Sequence, residues 1–261
     1  MNPARSTGFL GAVQFLTRVP IRLRRAPDPA RSVPWFAVVG GLIGVFVGSV
    51  AALSMELVPR PVAATLAIAA GIVLTGAFHE DGLADTADGL GGSTPDERIE
   101  ILKDSRHGTY GVAALSTTIL LRVACVASLG PAAAFGGLVA AHTLGRGAAV
   151  GVLAWAPAAG RRSPDDRDAD GLGAQFSRSV SGRGAAIGVS AAIAIAALAT
   201  GWWSGPLLVA TTIGALLTTG LAARAFGRIG GDVLGAVEQV GECTVLVVMS
   251  GLAARHTLWW A

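Results

Sequence analysis

The residues best suited to chemistry stand together in one short stretch, AFHEDGLADTADGLGG, beginning at Ala77. Asp81, Asp85 and Asp88 fall at i, i+4 and i+7. At about 100° per residue their directions lie within roughly 60° of one another, so a helix would carry all three on one face. Carboxylates crowded in this way repel unless a cation sits among them. An all-oxygen set suits a hard ion, Mg²⁺ or Mn²⁺, which fills its remaining positions with phosphate oxygens and water. Gly82 and Gly89 each follow an aspartate and remove a side chain where a bulky phosphate ligand would approach the backbone. Two other readings of the same residues stay open. One is a solvated helix start whose acids complement the helix dipole; the other is a cation pathway through a transporter.

Further on, ILKDSRHGTYG supplies Lys103 (the only lysine in the chain), Asp104, Arg106 and His107, and closes on Gly108 and Gly111. Basic groups beside a carboxylate and glycines suit a diphosphate, held by direct contacts and through a metal. RIGGDVLGAVEQVGE places Asp232 after two glycines, with Glu238 and Glu242 following inside an apolar run. Buried there, two glutamates need partners, and Arg122 and Arg146, also in apolar runs, are the candidates. His79 precedes the aspartate face as a general base, an orienting residue or a plain helix-end polar group. The glycine-rich basic stretch DGLGAQFSRSVSGRG reads equally as a substrate contact or a hydrophilic connector. No HExxH, Walker-type loop or Ser/His/Asp arrangement is present, which disfavours hydrolase and NTPase chemistry.

The elements that must position these groups follow from composition. Of 261 residues, 52% are hydrophobic and only 14% charged, where a soluble domain has about 25% charged. Seven apolar runs, about 35–55, 62–78, 110–129, 132–154, 185–203, 206–223 and 233–253, predict a single all-helical polytopic membrane domain over 1–261. Gly40, Gly44 and Gly48 carry the small-residue spacing that lets two helices approach closely. In GFLGAVQFLTRVP, Phe9, Val13 and Leu16 share one face, which predicts an interfacial helix before the basic run IRLRR, with a re-entrant segment as the alternative. The N-terminal stretch has too short and polar an apolar run for a cleaved leader.

Sixteen of the 20 Lys and Arg fall in the N-terminal segment and alternate loops. That bias predicts a cytosolic N-terminus, cytosolic loops at about 79–109, 155–184 and 224–232, and a C-terminus outside. The net charge of +3 fits membrane orientation rather than nucleic-acid binding. Cys125 and Cys243 lie in apolar runs without paired spacing and read as packing residues.

Taken in order, FLTRVP, HEDGLADTADGLGG, KDSRHGTYG, GLGAQF and GGDVLGA resemble the cobalamin synthase family, the adenosylcobinamide-GDP ribazoletransferases, over nearly the whole chain. CDP-alcohol phosphotransferases, which would release CMP, also pair spaced aspartates with glycines. Asp85, however, occupies the place of their usual arginine. The resemblance implies a Mg²⁺-dependent inner-membrane transferase. Its substrates would be adenosylcobinamide-GDP and α-ribazole or its 5′-phosphate; the products would be adenosylcobalamin or its phosphate, and GMP. Under it, Asp81, Asp85 and Asp88 hold metal, Asp104 or Asp88 accepts the hydroxyl proton, and Lys103 and Arg106 offset charge on the diphosphate and the departing GMP. Gly82, Gly89, Gly108 and Asp232 complete the expected substrate surface. Membrane lipid surrounds the chain, and self-association or a complex with other enzymes of the pathway is left open.

Overall fold

In hydrocarbon a backbone has only itself as a hydrogen-bond partner, so uninterrupted apolar runs become helices. The computed structural model describes residues 3–23, 27–104, 106–155 and 180–260, and every regular element among them is helical. In chain order these are α1 (Pro3–Leu16), α2 (Pro29–Ser32), α3 (Phe36–Met55), α4 (Arg60–Thr75), α5 (Phe78–Leu90) and α6 (Pro95–Leu102). They continue with α7 (Thr109–Ala127), α8 (Pro131–Trp155), α9 (Gly182–Thr200), α10 (Ser204–Phe226) and α11 (Gly231–Ala253).

Five stretches are long and apolar enough to cross a bilayer, or six if the bent pair α4 and α5 counts as one. Against the seven runs expected, the difference lies in two places. α4 has only 16 residues, about 24 Å at 1.5 Å per residue, short of a hydrocarbon core of about 30 Å. The other place is Gly182–Phe226, 45 residues of apolar helix taken as one stretch. Gly201, at φ +60°, breaks it. A Cβ on Gly136 would meet the Ala199 carbonyl and one on Gly147 would meet Ala192, so α9 runs antiparallel to α8. Thr211 packs beside Gly241 and Gly145, and Ala215 beside Val152, so α10 runs with α8. The chain therefore reverses at Gly201, and the stretch holds two passes.

α8 is the hub, packed against α3, α9, α10 and α11. Its contact with α3 uses the predicted glycine stripe: a Cβ on Gly44 would lie 2.6 Å from the Val139 Cα, and one on Gly48 would lie 3.0 Å from the Phe135 carbonyl oxygen. Leucine, isoleucine and valine side chains on the outer faces, such as Leu42, Leu66, Leu120, Ile193, Ile213 and Leu217, are exposed. Such a surface belongs in lipid. The helix predicted to lie on the leaflet forms as α1. Its apolar side is spent on the bundle, however, with Ala12 and Leu16 buried and Phe9 edge-on to Trp35.

One local feature decides where the acids go. Gly76 and Ala77 both adopt left-handed backbone, at φ 69° and 59°, and between them the chain turns by 91° from α4 into α5. The run expected to continue to residue 78 stops at Thr75. α5 then lies across the end of the bundle, packed on α7 and α11.

Candidate metal and phosphate site

α5 presents two faces. Asp81 and Asp85 point outward, with side chains 64% and 16% exposed, while His79, Glu80 and Asp88 are buried. His107, in the lead-in to α7, reaches both outward acids: its Nε2 lies 3.6 Å from Asp81 Oδ1 and its Nδ1 lies 3.5 Å from Asp85 Oδ1. The three ligand atoms fall within 4.8 Å of one another. Asp85 titrates at about 6, because partial burial raises its pKa and the charges of Asp81, Asp232 and Asp88 add to the effect against the opposing His107. A group that crowded favours a cation. Two carboxylates and an imidazole match Mn²⁺ and, through the carboxylates, Mg²⁺, so the residues fit a divalent ion.

The third aspartate of the face is already engaged. Asp88 accepts backbone hydrogen bonds from Gly108 at 2.7 Å and Gly111 at 2.8 Å, capping the start of α7. It thereby fixes His107 against α5, a duty that the i, i+7 spacing does not reveal. Gly108 serves that contact, where a Cβ would lie 2.7 Å from Asp88 Oδ1. Gly82 faces protein too: a Cβ there would lie 2.7 Å from the Asp232 carbonyl oxygen, which brings α5 directly onto the first turn of α11. Gly89 packs against Leu102 and Phe226.

The basic stretch divides differently from the expectation. Asp104 and Arg106 bond one another at 2.7–3.2 Å on the surface, and Arg106 holds the Asp104 carboxyl down to about 2. That makes Asp104 a poor proton acceptor. Lys103 lines a shallow groove with Glu97, Glu100 and Asp104, acid-rich company for a diphosphate. The segment 156–179, which contains GLGAQF, lies outside the described residues.

Deeper in the bundle the two intramembrane glutamates find the arginines that the sequence suggested. Arg122 donates to Glu80 at 3.2 Å and to Glu242 at 3.0 Å. Arg146 pairs with Glu238 and with Glu242, and His142 also contacts Glu242. His79 stands 3.7 Å from Glu238, far from an exposed general base. His142, Glu238 and Glu242 have metal-ligand spacing as well, but the Arg146 guanidinium already supplies the cation there. Glu80, placed next to Asp81 and turned inward, is the residue that sequence reasoning passed over. Its burial beside Arg122 could have been suspected only from the helical angle of about 100° that separates neighbours.

Across residues 8–250 the chain matches the model of the cobalamin-5-phosphate synthase family. It is 34% identical to the adenosylcobinamide-GDP ribazoletransferase of Shewanella amazonensis, over 92% of this chain and 94% of that protein. The enzyme of the same name from Bradyrhizobium diazoefficiens is 38% identical over 91% and 90%, and that from Azorhizobium caulinodans 36% over 98% and 100%. No solved structure matches the chain. The chain belongs to the cobalamin-5-phosphate synthase family.

Proposed function

We propose that the chain is an adenosylcobinamide-GDP ribazoletransferase that assembles the cobalamin nucleotide loop, using the Asp81–Asp85–His107 cluster as its divalent-metal site. The observation that carries this reading is the family match over residues 8–250, joined to one acidic cluster where α5, α7 and α11 meet. A hydroxyl oxygen of α-ribazole, or of its 5′-phosphate, forms a bond to the phosphorus attached to cobinamide. The bond from that phosphorus to the bridging oxygen breaks, and GMP leaves. A bound Mg²⁺ supplies charge neutralisation on the diphosphate. The protein's share is positioning: Asp81, Asp85 and His107 hold the ion, and Asp88 fixes the loop that carries His107. With Asp88 and Asp104 engaged elsewhere, Asp232 is the carboxylate left beside the cluster to take the hydroxyl proton.

The arginine bias supports an orientation with this end of the bundle, which carries Arg98, Arg224 and Arg228, on the cytosolic side and the end of α11 outside. The functional test is incubation of purified protein with Mg²⁺, adenosylcobinamide-GDP and α-ribazole. GMP and a product of adenosylcobalamin mass are expected. CMP released from a CDP-linked lipid, with no GMP from the corrinoid donor, would replace this reading with the CDP-alcohol phosphotransferase one.

A further inference from the structure

α5 rests on α11 through Gly82 and Gly235, where a Cβ on Gly235 would lie 3.2 Å from the His79 carbonyl oxygen. Two glycines meeting give close approach but no side chain to interlock. That glycine pair alone does not fix how far α5 is rotated about its own axis; buried side chains of α5 must do so, among them His79, 3.7 Å from Glu238 on α11. Rotation matters because the carboxylates stand about 5–6 Å from the axis. Turning α5 by about 20° would move Asp81 and Asp85 by about 2 Å, enough to take them out of shared coordination with His107.

Two buried acids on α5 flank the outward pair. Asp88 is tied to the start of α7 through Gly108 and Gly111. At the other end Glu80, 6% exposed, accepts from Arg122 Nη2 at 3.2 Å. The same guanidinium donates through Nη1 to Glu242 on α11 at 3.0 Å. Arg122, itself on α7, thus ties α5, which carries Asp81 and Asp85, to α11, which carries Asp232, while His107 lies just ahead of α7. We infer that Glu80 is a positioning residue: clamped by Arg122, it sets the rotation of α5 that brings Asp81 and Asp85 into register with His107 for a divalent cation. The inference rests on the metal site proposed above.

The test uses the full chain in detergent, with Mn²⁺ alone as probe and electron paramagnetic resonance as readout. In the wild type, Mn²⁺ binds with nitrogen coupling from a directly bound imidazole, and His107→Gln removes that coupling. Glu80→Ala weakens Mn²⁺ binding at least tenfold and lowers the nitrogen coupling, in the range for loss of a group that orients a ligand. Glu80→Gln, which keeps an oxygen for Arg122, stays within about threefold of wild type, so geometry rather than charge is what counts. Should Glu80→Ala lose its helical circular dichroism, Glu80→Asp takes its place and shows the same weakening. Wild-type affinity and coupling in Glu80→Ala, or equal losses in the Ala and Gln variants, overturn the positioning role. A wild type that binds Mn²⁺ without His107 coupling overturns the metal site itself, a separate failure.

Discussion

At the end of the bundle Asp81, Asp85 and His107 gather around a point open to water. Further along α11, about 9–15 Å past Asp232 by helical rise, His142, Glu238 and Glu242 also gather within metal-ligand reach of one another, but around a guanidinium. The outer cluster crowds its carboxylates: partial burial first, and then the charges of Asp81 and Asp232, push Asp85 up. The inner one meets its acids with Arg122 and Arg146. In hydrocarbon an unpaired charge costs several kcal/mol, so buried acids arrive with their counter-ions built in. At the water edge the repulsion is tolerated because solvent and an incoming ion offset it. Similar groupings of ligand atoms therefore read as structure in one place and, under the proposed function, as chemistry in the other, and α5 carries a face for each.

The comparison is broken most sharply at Asp85. Asp85→Asn is expected to lower turnover at saturating Mg²⁺ by about a hundred- to a thousandfold, the scale for losing electrostatic stabilisation of a transferring phosphoryl group, while membrane insertion holds. Turnover within tenfold of wild type, in the assay of GMP release, would take Asp85 out of the site.

Next comes the inner cluster. Arg146→Ala takes the guanidinium from Glu238 while Glu242 keeps Arg122, and is expected to cost about 3–5 kcal/mol of stability, the usual penalty for removing one partner of a buried pair. The readout is the melting temperature in detergent. Pairing the change with Glu238→Gln should recover part of the loss. An unshifted melting temperature would mean that the inner charges are hydrated and serve chemistry after all.

A third effect is smaller and separates the clusters by pH. Asp85 is held at about 6 against an ordinary 3.8. A raised carboxyl stabilises the fold below its unfolded value, and that contribution is lost as pH climbs through the folded one. The metal-free protein should therefore lose stability between about pH 4 and 6. Metal binding has the opposite sign, since the ligand must be deprotonated. Below about pH 6, Mn²⁺ affinity should fall at least about tenfold per unit. Asp85→Asn should flatten the stability trend and lessen, without abolishing, the trend in Mn²⁺ binding, as titration of Tm and of Mn²⁺ binding can show.

Much of this was legible in the residues, for reasons that differ by element. The apolar runs and the Gly40–Gly44–Gly48 stripe specify helices and one tight contact, because period and residue size act locally. The three-acid face was legible as a pattern but not as a division of labour: Asp88 turns out to cap α7, a partner 20 residues away. Spacing within a helix fixes direction, not what the direction meets. His107 was in view among the basic residues, yet only the fold brings it to Asp81. The bend was hidden because nothing in the TGAF sequence marks Ala77 for left-handed backbone, which alanine disfavours.

That bend supplies the smallest and most discriminating prediction. Ala77 adopts φ 59° immediately before α5, a conformation costing an alanine about 1–2 kcal/mol. Glycine would relieve it but would lose more chain entropy on folding, about 0.5–1 kcal/mol. Ala77→Gly should therefore stabilise the protein by about 0.5 kcal/mol, a small rise in melting temperature. Its effect on the outer cluster is the sharper question. If Glu80 and Asp88 hold α5 between them, a freer hinge leaves the Asp81–Asp85 edge where it was, and Mn²⁺ affinity stays within about twofold of wild type. A tenfold drop would transfer control of α5 from the buried clamp to the hinge. The two faces of that helix would then be set by the backbone, not by the charges beneath it.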